Sequence, residues 1–157
     1  MSGVIAVTRA AAEGGSARDA RAHGGGSAPL ARPSRFLTVA EVVAIARTAF
    51  TGDGVPELRA PGLLESAVHR PRARMFGESA YQDVYEQAAV LLHAIASNHP
   101  FVDGNKRAAW LSSAVFLAVN GVDLADVDHD RAYELVVGVA AGEVGDIRDI
   151  AGRLREL

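Results

Sequence analysis

Within nine residues, His99-Pro100-Phe101-Val102-Asp103-Gly104-Asn105-Lys106-Arg107 bring together a proton acceptor, one carboxylate, a glycine, an amide and two cations. Those types suit a nucleotide phosphate chain with a divalent metal and a base that activates a hydroxyl. Histidine titrates near pH ~6.5 when unperturbed, so His99 can accept a proton at neutral pH. Asp103 is the only carboxylate of the loop and the candidate Mg²⁺ ligand, since Mg²⁺ takes about one or two carboxylates and leaves its other positions to phosphate and water. Gly104 lets the backbone approach a ligand without a side chain in the way. The Asn105 amide is expected on phosphate oxygens or in the metal shell. Lys106 and Arg107 would neutralise phosphate charge, lysine as a point charge and arginine as a fork. Phosphoryl transfer depends mostly on positioning and charge stabilisation, so this set needs no covalent nucleophile. A capped helix start with an ion-paired arginine would use part of the set but not all of it.

Such a loop needs a rigid frame, and the flanking sequence supplies one. Before it, Asp83 to Asn98 reads as a helix with Val84, Ala88, Leu91, Leu92 and Ile95 on one face. After it, Asn105 to Asn120 reads as a helix that is apolar nearly all round from Ala108 to Val119, which predicts a buried central position. Its first turn offers free N–H groups and a positive dipole end to an anion. Gly121 suits a left-handed stop. Upstream, Thr38 with Glu41 forms a capping box ahead of a stripe at Val39, Val42, Val43 and Ala46. Residues 51–61 read as a loop, and Gly62 to Arg70 as a short helix ending before Pro71. Residues 72–80 are irregular and can hold a small flap, with Arg72 and Arg74 as candidate contacts to the site or target, and Phe76 and Tyr81 packed beneath it in preference to stacking on an adenine. Asp128 to Ala141 and Asp146 to Glu156 complete an all-α bundle. His93 reads as an ordinary hydrogen-bonded helical histidine, and His69 and His129 show no ligand spacing. Ser112 and Ser113 fall to helix packing.

Composition limits the alternatives. Of 157 residues, 49% are hydrophobic, enough for a real core, and no apolar run reaches the roughly 18 residues of a membrane span. There is no cysteine, which removes disulfides, cysteine-bound zinc and a thiol nucleophile, and fits a cytoplasmic protein. Residues 1–33 carry four arginines against two acids, +2, so the remainder of the net −3 chain is −5. A domain of that charge is a poor match to duplex DNA, whose binding depends on cations at phosphates. The first 33 residues are rich in Ala, Gly, Ser and Arg and are expected to be disordered.

The motif resembles the signature of the Fic/Doc family: histidine-proline-phenylalanine, an acid, glycine-asparagine and a basic end. Lys106-Arg107 and the compact size point to the Doc (death-on-curing) branch. The likeness extends to Leu37–Phe50, Gly62–Ala67, Phe116–Gly121 and Val139–Glu143, so the chain divides into a tail over 1–35 and a Fic/Doc domain over 36–157. The resemblance implies a Fic-type helical bundle with a flap, and an ATP- and Mg²⁺-dependent transferase. In it His99 activates the target hydroxyl, Phe101 pins the loop to the core, and Asp103, Gly104, Asn105, Lys106 and Arg107 handle metal and phosphates. Adenylylating Fic enzymes usually carry glycine where this chain has Lys106. Lysine there resembles Doc, in which the γ-phosphate is transferred, and so favours protein phosphorylation over adenylylation. A catalytically silent binding module is the remaining reading. No Ser or Thr has Glu four residues on, so the inhibitory Ser/Thr-xxx-Glu motif of some Fic proteins is missing. The resemblance then implies a toxin restrained by a separate antitoxin, with a threonine of elongation factor Tu as the target.

Overall fold

The computed structural model describes residues 32–50 and 56–157. All but residues 32 and 33 of the disordered segment expected over 1–33, and residues 51–55 of the loop expected over 51–61, lie outside the described residues. Six α-helices occur among them: α1 (Val39–Ala49), α2 (Pro61–His69), α3 (Val84–Asn98), α4 (Asn105–Val119), α5 (His129–Ala140) and α6 (Ile147–Arg155). A 3₁₀ turn (Arg70–Arg72) follows α2 and leads into a hairpin of β1 (Arg74–Met75) and β2 (Glu78–Ser79). The all-α class with a small flap is what the sequence periodicities dictate.

Four helices start on a side chain that accepts from the first turn. Thr38 and Glu41 close a reciprocal capping box on α1, and Asp83, Asp128 and Asp146 cap α3, α5 and α6. Burial alone would push the Glu41 carboxyl up. The Thr38 N–H and the Arg35 guanidinium at 2.6 Å outweigh that and hold it below the ordinary value. Helix α2 begins instead with Pro61, which has no N–H to satisfy.

The core is centred on α3 as well as α4, and α3 is the hub. It packs against α2, the 3₁₀ turn, α4, α5 and α6, and none of its residues is fully exposed. Helix α4 packs against α1, α3 and α5, and beyond its first turn it too has no exposed residue. Small residues allow the two to lie close: Ala88, Ala89, Ala108 and Ala109 are all at 0% exposure. Ser113 donates across the pair to the Ala88 carbonyl at 3.3 Å and along its own helix to Ala109 at 2.9 Å. Ser112 is equally buried, and its hydroxyl has no partner among the described residues.

Two latches fix the ends of the bundle. Arg155 near the end of α6 pairs with Asp83 at 3.1 Å and lies over the Tyr85 ring at 4.7 Å, tying the last helix to the start of the hub. At the other end the Asn120 amide accepts from Arg35 N–H at 2.8 Å and donates to Arg35 C=O at 3.0 Å. That pairing mimics a strand and lays Phe36 on Phe116, ring centroids 6.1 Å apart.

The hairpin turn places Phe76 at φ 52° and Gly77 at φ 84°, both left-handed as a two-residue type I′ turn requires. Phe76 is fully exposed at the tip and Met75 is exposed beside it. Phe76 therefore does not pack beneath the flap as the sequence suggested, because the tight turn throws its ring outward.

Candidate active site

The motif loop spans the gap between the hub helix and α4. Helix α3 ends at His99, which adopts a left-handed conformation (φ 48°, ψ 59°) usually left to glycine. Pro100 follows and prevents the helix from continuing. Phe101 is 1% exposed within the core cluster, a burial that contributes roughly 2–3 kcal/mol. It anchors the loop from below.

A short segment ahead of α2 clamps the same loop from the side. Leu58 and Phe101 form an isolated antiparallel bridge. Val102 N–H donates to Glu57 at 2.9 Å, and Arg59 and Ala60 N–H both donate to the Pro100 carbonyl at 2.9 and 3.1 Å. The Arg59 guanidinium adds bonds to the His99 carbonyl at 3.1 and 2.8 Å, and to that of Asn98 at 3.3 Å. Sequence reasoning assigned this segment to a featureless loop. Its role depends on a pairing with residues about forty positions away, which no local pattern reveals.

Asn105 Oδ1 accepts from Phe101 N–H at 2.9 Å and its Nδ2 donates to Phe101 C=O at 2.8 Å, at 9% exposure. Both polar atoms of the side chain are engaged inside the loop, on the side of Phe101 that has no other backbone partner among the described residues. Helix α4 starts at Gly104 with no side-chain cap, so the N–H groups of its first turn stay available.

Gly104 itself sits at φ 74°, and a Cβ there would lie 2.7 Å from the Phe50 ring. Glycine is thus required twice, by conformation and by the close approach of the end of α1. Arg107 uses the same neighbour: its Nη1 donates to Ala49 C=O at 2.8 Å and its guanidinium lies over Phe50 at 5.7 Å. One of its five N–H groups is engaged there, which orients the rest. Lys106 is exposed and makes no ion pair among the described residues.

These residues open onto one cavity of about 700 Å³, within the usual ~300–1,000 Å³ of ligand sites. His99, Asp103, Gly104, Asn105, Lys106 and Arg107 line it together with the largely apolar Trp110, Tyr133, Val136 and Ala140. Two cations face one carboxylate there, so the lining is positive in a chain whose net charge is −3. His129 also reaches this cavity, although its sequence surroundings gave no hint of it, since α5 arrives there only through tertiary packing.

No group of three or more His, Cys, Asp or Glu could hold a metal among the described residues. Asp103 offers a single carboxylate, and its Oδ1 also accepts from Gly104 N–H. That donor set fits Mg²⁺ carried on a phosphate chain and does not fit a metal held by protein alone.

Arg72 and Arg74, expected as flap contacts, are not among the residues lining the cavity. Arg72 donates to Leu37 C=O at 3.3 Å and lies over the Phe36 ring at 5.1 Å, so it fastens the 3₁₀ turn to the residues just before α1. Arg74 folds back onto the Gly77 carbonyl of its own hairpin. Both side chains are otherwise exposed.

The sequence matches the model of the Fic/DOC family over residues 36–117. It is 42% identical over 122 residues to Toxin Doc of Mycolicibacterium smegmatis, covering 77% of this chain and 92% of that protein. It is 38% identical over 104 residues to Protein kinase doc of Escherichia phage P1, covering 66% of this chain and 79% of that protein. With a profile match over half the chain and both relatives covered along most of their length, this chain belongs to the Fic/DOC family.

Proposed function

We propose that the chain transfers the γ-phosphate of ATP, in the presence of Mg²⁺, to a Ser or Thr hydroxyl of another protein, and that it acts as a toxin held in check by a separate antitoxin. The observation that carries this reading is the convergence of His99, Asp103, Lys106 and Arg107 with an uncapped helix N-terminus on one positively lined cavity. The relatives named a toxin and a protein kinase support the direction of the assignment.

In this reading the N–H groups of the first turn of α4 hold the phosphate chain. Lys106 and Arg107 stabilise charge on the transferring and leaving oxygens. His99, which lines the cavity, takes the proton from the target hydroxyl as its oxygen bonds to the γ-phosphorus and the bond to the β–γ bridging oxygen breaks, leaving ADP. Asp103 would hold Mg²⁺, which neutralises phosphate charge when bound. The apolar wall at Trp110 and Tyr133 excludes water from one side.

ATP labelled on either the α- or the γ-phosphate, incubated with the protein and elongation factor Tu or a cell extract, tests the assignment. Label is expected on a protein from the γ-position only, and none with His99→Ala. Retention of α-label alone would make the chain an adenylyltransferase. Binding of a partner protein with no transfer from either position would make it a silent module. Expression should arrest growth, and the His99→Ala chain should not.

A further inference from the structure

His99 occupies a left-handed backbone conformation that is unfavourable for a side-chain-bearing residue. The last carbonyls of α3 also lack intrahelical partners and carry the negative end of the helix dipole. Arg59 answers both conditions. Through its guanidinium and its own N–H, that single residue binds the carbonyls of Asn98, His99 and Pro100, three in succession. The two bonds to His99, at 3.1 and 2.8 Å, fix the peptide plane that follows its Cα. A His99 that left the left-handed region would turn its imidazole relative to the cavity that it lines.

We propose that Arg59 is the positioning residue of His99, holding the left-handed helix end that presents the imidazole to the substrate hydroxyl. The proposal rests on the transferase reading for what His99 does, though not for how it is held. The guanidinium is suited to the task because its rigid fork sets two nitrogens, Nε and Nη2, on the one His99 carbonyl, whereas an ammonium offers a single nitrogen on a flexible stem.

The test compares Arg59→Ala and Arg59→Lys in the full chain, by steady-state kinetics and by backbone ¹³C shifts of His99, which report left-handed residues independently of activity. Arg59→Ala should lower kcat by about 10- to 100-fold, the scale of an ångström-level misplacement. KM for ATP should stay within about twofold, because the phosphate-binding turn is untouched. The His99 shifts should leave the left-handed range. Arg59→Lys should fall between wild type and alanine in both readouts, and it serves alone should the alanine variant fail to fold. Wild-type kcat and wild-type His99 shifts in either folded variant would overturn the proposal. A wild-type chain that transfers no label, while Arg59→Ala still moves the His99 shifts, would sink the transferase reading and leave the positioning role standing.

Discussion

Replacing Asn105 by alanine separates bracing of the loop from contact with a ligand. In the folded chain the Asn105 amide is the partner of both Phe101 N–H and Phe101 C=O, at 2.9 and 2.8 Å. Phe101 is 1% exposed, so alanine strands two backbone groups in the interior. Each stranded group costs about 1–3 kcal/mol. Water entering the shortened site would recover part of the loss, which leaves a destabilisation of about 2–4 kcal/mol. Against a total stability on the order of 5–15 kcal/mol that is a large fraction. With a urea slope of roughly 1–3 kcal/mol per molar, the midpoint should fall by about 1–2 M. Urea unfolding followed by far-ultraviolet circular dichroism and by the fluorescence of Trp110, the single tryptophan, measures it. Stability within about 0.5 kcal/mol of wild type, together with lost ATP affinity, would refute the reasoning and return the amide to the phosphates. Asn105→Asp sharpens the test. It keeps an acceptor for Phe101 N–H but sets a carboxylate oxygen against the Phe101 carbonyl. Burial should raise that carboxyl above its ordinary ~3.9. The deficit is then full above the raised value and shrinks as pH falls through it.

Gly104→Ala should cost about 1–2 kcal/mol from the left-handed backbone alone, and its Cβ, 2.7 Å from the Phe50 ring, should displace the platform under Arg107. Thermal unfolding and ATP titration should both register the change, and a variant unchanged in both would contradict the packing account. His93 is held below its ordinary value by burial first and then by the Arg70 charge, and its Nδ1 is buried without a partner, unlike the satisfied histidine expected from sequence. The unfolded chain therefore binds a proton that the folded chain resists. Stability from this group is full above pH ~6.5 and is lost as pH falls below it. His93→Leu should flatten the fall in stability between about pH 7 and 5, and an unaltered slope in urea midpoints would show that another group is responsible.

The helices were legible because each carries its own local instructions. Thr38 with Glu41, and the aspartates at 83, 128 and 146, mark starts that need only the next few residues. The apolar spacing of α3 and α4 fixes which faces turn inward. The chemistry of the motif was legible for the same reason, since acid, base, glycine and cations fall within one short stretch. The particular use of several side chains was not. No local pattern shows that Phe101 takes both polar atoms of the Asn105 amide. Nor does one show that Arg72 bonds to Leu37 and Arg74 to Gly77.

By itself, then, the sequence determined the all-α class, the helix boundaries to within a few residues, and the nine residues around which the chemistry gathers, because propensity, capping and periodicity act over one or two turns. Only the tertiary structure decided that residues 57–60 clamp the loop, that Arg59 grips His99, and that His129, Trp110 and Tyr133 share its cavity. Those contacts join residues tens of positions apart. They form only when α3 and α4 bury their faces together, and no spacing along the chain encodes which distant carbonyl a side chain will meet.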